Sequence, residues 1–372
     1  ALGAGVIVLS YAIGRQLAPG DRQLALAAAA VVAYLPMHLA MLAAVNNDGL
    51  AELLIAAVAL RLLAWEGAPQ PPLRSIGLTG LLLGLALITK ATSYYTLLPL
   101  AGLALLWPRG RPAQSISRAA ALLGPAVAVA LPWWVRNVTI YGWPDLLGKL
   151  QHDQVVVGQL RTAEYLGQVG WSAYLSDFLS TSFHSFWGQF GWMAVPMDSR
   201  VYGLLGLLSL LAVAGWLVLA RETRQARPAG EAARAGVRRY QFVLLGLWLG
   251  LTIGGYLYYN LQFVQFQGRY LFPALAPIAL LMVVGWRKVL TRRGAWLGAG
   301  MAAAAIAASG LAGRAAGRLD RGSLALGGGL TLALAARRWL PASWDSWLVG
   351  LPPVGLAVLA AYSLFVWVVP NL

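Results

Sequence analysis

The 372 residues are 59% hydrophobic and 11% charged, which excludes a soluble domain, where roughly a quarter of residues are charged. There is no cysteine, so disulfides, thiolate metal sites and cysteine nucleophiles are excluded, and three histidines are too few for a metal cluster. The net charge of +15 would suggest nucleic acid in a soluble protein, but most basic residues sit in short connections between apolar segments, where they set membrane orientation and meet anionic headgroups.

In chain order, apolar segments lie near residues 1–14, 24–45, 49–65, 75–90, 92–107, 119–135, 202–220, 240–259, 270–286, 294–312, 322–336 and 348–368. About 20 apolar residues cross a bilayer. The pattern therefore predicts an all-α, polytopic transmembrane helix bundle of about 12 spans. The chain opens inside the first of them, as a fragment or a processed chain would.

Every second connection is arginine-rich: Arg15/Arg22, Arg74, Arg109/Arg111/Arg118, the stretch from Arg221 to Arg239, Arg287/Lys288/Arg292/Arg293, and Arg337/Arg338. The positive-inside rule assigns these to the cytoplasm, although Arg314, Arg318 and Arg321 then fall outside. The far side receives Asn46-Asn47-Asp48, Lys90, the long segment 137–200 and Gln262 to Arg269. The expected division is a transmembrane bundle over 1–136, an extracytoplasmic aromatic loop over 137–201 and a second bundle over 202–372. Residues 221–239 read as a flexible linker.

Gly77, Gly80 and Gly84 predict close helix packing. Pro36, Pro99, Pro125, Pro132, Pro273 and Pro277 predict kinks. In the long loop, Trp171, Tyr174, Phe178, Phe183, Phe186, Trp187, Phe190 and Trp192 recur at three- and four-residue spacing. That spacing predicts amphipathic helices on the outer leaflet, either as an interfacial aromatic belt or as a lid over a site.

Candidate binding residues gather on the far side. Asp48 opens a span, where an aspartate serves as an N-cap, and the asparagines beside it suit sugar hydroxyls or a divalent cation. Glu52 lies one turn further on the same helix face. Lys90, with Tyr94 and Tyr95 following, is either a snorkelling anchor or a point charge for phosphate. Arg136 after Trp133-Trp134, and Arg269 before Tyr270, are the other outer cations beside aromatics; arginine forks grip phosphate oxygens in pairs.

The strings Asn46-Asn47-Asp48-Gly49, the run ending Ile88-Thr89-Lys90, Pro132-Trp133-Trp134-Val135-Arg136-Asn137, Gln267-Gly268-Arg269-Tyr270-Leu271-Phe272-Pro273 and Ser185-Phe186-Trp187-Gly188-Gln189-Phe190-Gly191-Trp192 resemble polytopic glycosyltransferases of the GT-C type. The nearest branch is the bacterial relatives of protein O-mannosyltransferase and aminoarabinose transferase. The resemblance covers most of residues 20–290. It implies a polyprenyl-phosphate-linked sugar donor, transfer at the extracytoplasmic face of a bacterial plasma membrane, and a glycan, lipid or protein acceptor. Asn47, Asp48, Glu52, Lys90, Tyr94, Arg136, Arg269 and Tyr270 are the expected substrate contacts, and Asp48 the expected ligand of any divalent cation. Such enzymes carry a catalytic aspartate between their first two spans, so the general base is expected upstream of Ala1. Competing readings are a secondary transporter or flippase of a lipid-linked substrate, and a non-catalytic lipid-binding membrane protein. Transporters usually show internal repeats and midplane polar groups; neither stands out here.

Overall fold

The computed structural model describes residues 1–65, 71–107, 112–225, 232–315, 317 and 320–371. Arg109, Arg111, Arg318 and the middle of the expected linker, 226–231, lie outside them. The helices in order are α1 (Leu2–Leu17), α2 (Arg22–Tyr34), α3 (Pro36–Ala43), α4 (Asp48–Ala64), α5 (Leu73–Thr89), α6 (Thr92–Leu106), α7 (Pro112–Tyr141), α8 (Lys149–Val155), α9 (Thr162–Trp187), α10 (Ser199–Gln225), α11 (Ala232–Gln262), α12 (Leu275–Val289), α13 (Gly294–Ala315), α14 (Arg321–Ala336), α15 (Asp345–Leu348), α16 (Leu351–Ser363) and α17 (Val369–Asn371). A 3-10 helix, Gly268–Ala274, leads into α12, and a hairpin of two short strands, Gln189–Phe190 and Val195–Pro196, follows α9. Among the described residues the chain is otherwise helical, apart from one isolated bridge between Arg161 and Phe263.

Each apolar segment coincides with a helix or a bent pair. Among the described residues six are long and apolar enough to cross a membrane: Ser115–Tyr141, Ser199–Glu222, Arg239–Gln262, Gly268–Val289, Gly294–Ala315 and Leu351–Asn371. The bent pair α2–α3 makes up to seven, broken by 59°. The break has a local cause: Pro36 disfavours helical geometry at the residue before it, and Leu35 is extended. Helices α1, α5 and α6 are apolar but hold 15–17 residues, about 25 Å or less at 1.5 Å per residue. That is short of a hydrocarbon core of about 30 Å.

The chain forms two compact units. The first comprises Ala1–Leu17, Met41–Phe183 and Ala232–Leu275. Here α4 packs on α1, α5 and α6, α5 lies along α7, and α6 meets α11. Lipid is as apolar as leucine, so close van der Waals approach drives such packing. Gly80 and Gly84 provide it: a Cβ at Gly80 would sit 2.1 Å from the Leu122 carbonyl oxygen, and one at Gly84 would sit 2.8 Å from that of Ala126. The expected role of these small residues is met on α7. Within the aromatic segment, α9 breaks at Gly170 (φ +75°). Beyond the break Tyr174 is buried, with its Oη donating to the Asn260 carbonyl (3.1 Å), and Phe178 stacks on Tyr256. Trp171, Leu175 and Leu179 stay exposed, so the helix has one face against protein and one apolar face outward.

The second unit comprises Ala18–Ala40, His184–Glu231 and Ala276–Leu372. Helices α10 and α12 cross, and there Trp216 donates to the Leu281 carbonyl (2.8 Å) and Trp286 to the Leu208 carbonyl (2.9 Å). Helices α13 and α14 pair beside α10, and α16 packs on α2.

Candidate functional site

Helices α4 and α5 form an antiparallel pair with a polar clasp at each end. At one end Arg61 donates to the Thr79 hydroxyl (2.8 Å) and to the Ser75 carbonyl (2.7 Å), which satisfies a charge that would be costly in apolar surroundings. The other end holds the Asn-Asn-Asp string, and each residue has a separate task. Asn46 accepts from the Asp48 amide (2.9 Å) and donates to the Met41 carbonyl (3.2 Å), so its side chain builds the turn between α3 and α4. Asn47 donates to the Thr89 carbonyl (2.8 Å), one of the oxygens that the end of α5 leaves without a helical partner. Asp48 was expected as the N-cap. Asn47 holds the N-cap position instead, and Asp48 stands in the first turn, where the helix dipole favours a carboxylate.

Asp48 forms an ion pair with Lys90. Lys90 lies beyond the end of α5, in the tight connection to α6, with extended backbone. Both partners are partly accessible, their side chains 24% and 34% exposed for Lys90 and Asp48. Burial, and then repulsion from Arg269, lower the Lys90 ammonium from its ordinary range to about 8. Arg269 belongs to the 3-10 helix Gly268–Ala274, which packs on α4. It donates from Nη1 to the Met41 sulfur (3.0 Å) and lies 5.7 Å from the Tyr270 ring centre.

Three of the expected residues thus meet: Asp48, Lys90 and Arg269, with Asn47 fastening the helix ends around them. Glu52 is buried one turn deeper on α4. Tyr94 accepts from the Trp134 indole (2.7 Å), which ties α6 to α7. Tyr270 lies 5.8 Å from the Tyr259 ring and 6.4 Å from that of Tyr256. Arg136 is exposed, 5.0 Å over the Trp133 ring, and donates to neighbouring Asn137 (3.3 Å); these contacts lie on its own helix. Met41 and Trp134 were missed as site neighbours. A methionine in an apolar run carries no signal, and Trp134 read only as an aromatic beside Arg136.

The arrangement does not fit a divalent cation. The Asp48 carboxylate faces an ammonium, and among the described residues no group of three or more His, Asp or Glu side chains could hold a metal. A second polar cluster fastens α8 to the end of α11. There Lys149 pairs with Asp153 and donates to Gln262 (3.2 Å). Burial alone would raise the Asp153 carboxyl, but hydrogen bonds and charge from Lys149 and His152 hold it below its usual range.

Asn47→Ala should cost about 1 kcal/mol, the usual net worth of such a hydrogen bond. Thermal unfolding in lipid nanodiscs measures this. Unchanged stability would remove Asn47 as the fastener of α4 to α5.

Residues 3–282 match the family described as Predicted membrane protein (DUF2142). No curated protein and no solved structure matches the chain.

Proposed function

The chain belongs to the DUF2142 family of predicted membrane proteins, and we propose that it is a glycosyltransferase of the GT-C type that takes a sugar from polyprenyl phosphate at the extracytoplasmic face of a bacterial plasma membrane. In this reading all twelve apolar segments, the short helices and the bent pair included, count as spans. The observation that carries the proposal is the meeting of Lys90 and Arg269 beside Asp48 and the amide-rich turn. Two cations close enough to repel each other are suited to a phosphate, whose charge relieves that repulsion.

In the reaction an acceptor hydroxyl oxygen forms a bond to the anomeric carbon of the sugar. The bond from that carbon to the phosphate oxygen breaks, and polyprenyl phosphate leaves with the electron pair. Lys90 and Arg269 stabilise the charge that grows on the departing phosphate. Arg136 is the third proposed phosphate contact. Asn47, Asp48, Glu52, Tyr94 and Tyr270 position sugar and acceptor hydroxyls. Asp48 is held by Lys90, so the acceptor proton goes to a base outside this cluster.

Reconstituted protein supplied with a labelled polyprenyl-phosphate sugar should release polyprenyl phosphate and label an acceptor. Movement of labelled solute across the vesicle without that release would replace the proposal with a transporter. Retention of the lipid with neither outcome would make the protein a binder.

The pH dependence follows from Lys90. Only the ammonium binds phosphate, so donor binding takes up a proton wherever the free protein has lost it. Affinity should hold below pH 8 and fall as pH rises through about 8, by at most about tenfold per unit for one linked proton. Lys90→Arg keeps its charge throughout, and its kcat/KM should stay flat over the same range. A wild-type limb near pH 8 that persists unchanged in Lys90→Arg would exclude Lys90 from phosphate binding.

A further inference from the structure

In the second unit, α10, α12, α14 and α16 surround a cavity of about 400 Å³. Leu208, Leu290, Leu334 and Leu356 line it, along with Trp286, whose indole nitrogen is already donated to the Leu208 carbonyl. Water in such a cavity would find no polar partner. Gly355 edges the cavity and is itself exposed, between exposed Val354 and Val358. The cavity therefore opens on the face of α16 that meets lipid.

Arginines follow Leu290 and Leu334, two of the residues that line the cavity. Arg337 is buried, donates Nε to the Leu290 carbonyl (2.9 Å) and pairs with Asp345, so its own charge is matched. That bond ties the end of α14 to Leu290, which lines the cavity. Arg338 is exposed and lies 5.3 Å from the Trp296 ring and 4.6 Å from the Trp339 ring, both rings exposed. Arg292 is exposed and donates Nε to the Leu340 carbonyl (2.9 Å), and exposed Arg293 follows it. Among the described residues none of Arg292, Arg293 and Arg338 has a carboxylate partner. Exposed tryptophans beside arginines mark the headgroup level of a bilayer, and basic pockets between spanning helices collect anionic headgroups.

We propose that this end of the second unit binds one anionic phospholipid. Its phosphate sits on Arg292 and Arg338, its headgroup lies among Trp296 and Trp339, and one acyl chain enters the cavity. A cavity of about 400 Å³ has room for a segment of an acyl chain. The occupant is anionic because, among the described residues, the three arginines that follow the cavity-lining Leu290 and Leu334 have no carboxylate partner, and it is a lipid because the cavity is apolar and opens toward hydrocarbon.

Native mass spectrometry of the whole protein, released from micelles holding equal phosphatidylglycerol and phosphatidylcholine, tests this. The expected result is one retained phosphatidylglycerol. Gly355→Phe should lower its retention about tenfold or more, as should the double variant Arg292→Gln/Arg338→Gln. An added Cβ at Gly355 meets nothing within 4 Å, so that variant obstructs the cavity without a backbone clash. The double variant changes only exposed side chains and reads the headgroup separately. Equal retention of the two lipids overturns the proposal, as does wild-type retention in Gly355→Phe. Displacement of the lipid by millimolar inorganic phosphate alone would make the arginines a free-phosphate site and also overturn it.

Discussion

Arg269→Ala is expected to lower kcat/KM for sugar transfer by about a hundredfold or more, the usual cost of removing one preorganised donor from a developing oxyanion. The guanidinium stands at the start of a 3-10 helix that packs on α4. One of its donors rests on the Met41 sulfur, a weak acceptor that a phosphate oxygen can displace at small cost. Folding should therefore survive, with an unfolding temperature close to wild type. The variant carries a second readout. Arg269 is one of the two causes that lower the Lys90 ammonium, so its removal should move the alkaline limb of the residual activity upward from about 8. Arg269→Lys keeps the charge and loses the fork. It should leave that limb in place while recovering only part of the rate. Full activity in Arg269→Ala would end the phosphate assignment, and loss of activity with an unmoved limb would end its coupling to Lys90.

The sequence was most informative where spacing along one helix decides the outcome. Apolar length placed the helices of the twelve apolar segments, though not α8 or α9, and Gly80 and Gly84, one turn apart, announced a close neighbour. Pro36 announced a break. The sequence was less informative where two helices meet. Asp48 and Lys90 are 42 residues apart, and only the antiparallel pairing of α4 with α5 makes them partners. The same holds for Met41 and Arg269, 228 residues apart. In a membrane protein the lipid-facing and protein-facing sides of a helix are almost equally apolar, so hydropathy does not say which way a cation such as Arg136 points. The Asn-Asn-Asp string divides its work differently from the expected N-cap with flanking amides. Its asparagines shape the turn and fasten α5, and its aspartate neutralises a lysine, a division of labour set by which backbone groups the helix ends leave open.

Gly215→Ala should destabilise the second unit by at least about 3 kcal/mol, at the severe end of overpacking. A Cβ at Gly215 would sit 1.8 Å from the Gly285 carbonyl oxygen, and one at Gly285 would sit 2.1 Å from that of Ala212. Each glycine of the α10–α12 crossing thus faces backbone and not a side chain that can rotate away. Even a methyl group forces the two helices apart, and with them the Trp216 and Trp286 bonds that bridge the crossing. Separation is costly here because contact at close range is the main attraction between apolar helices in lipid. Gly203→Ala provides the control on the same helix. A Cβ there meets nothing within 4 Å, and alanine in place of glycine inside a helix should stabilise by about 0.5–1 kcal/mol. Opposite signs for two glycine-to-alanine changes on α10, read by thermal unfolding in nanodiscs, would locate the crossing at Gly215. A Gly215→Ala protein as stable as wild type would mean that α10 and α12 do not cross there.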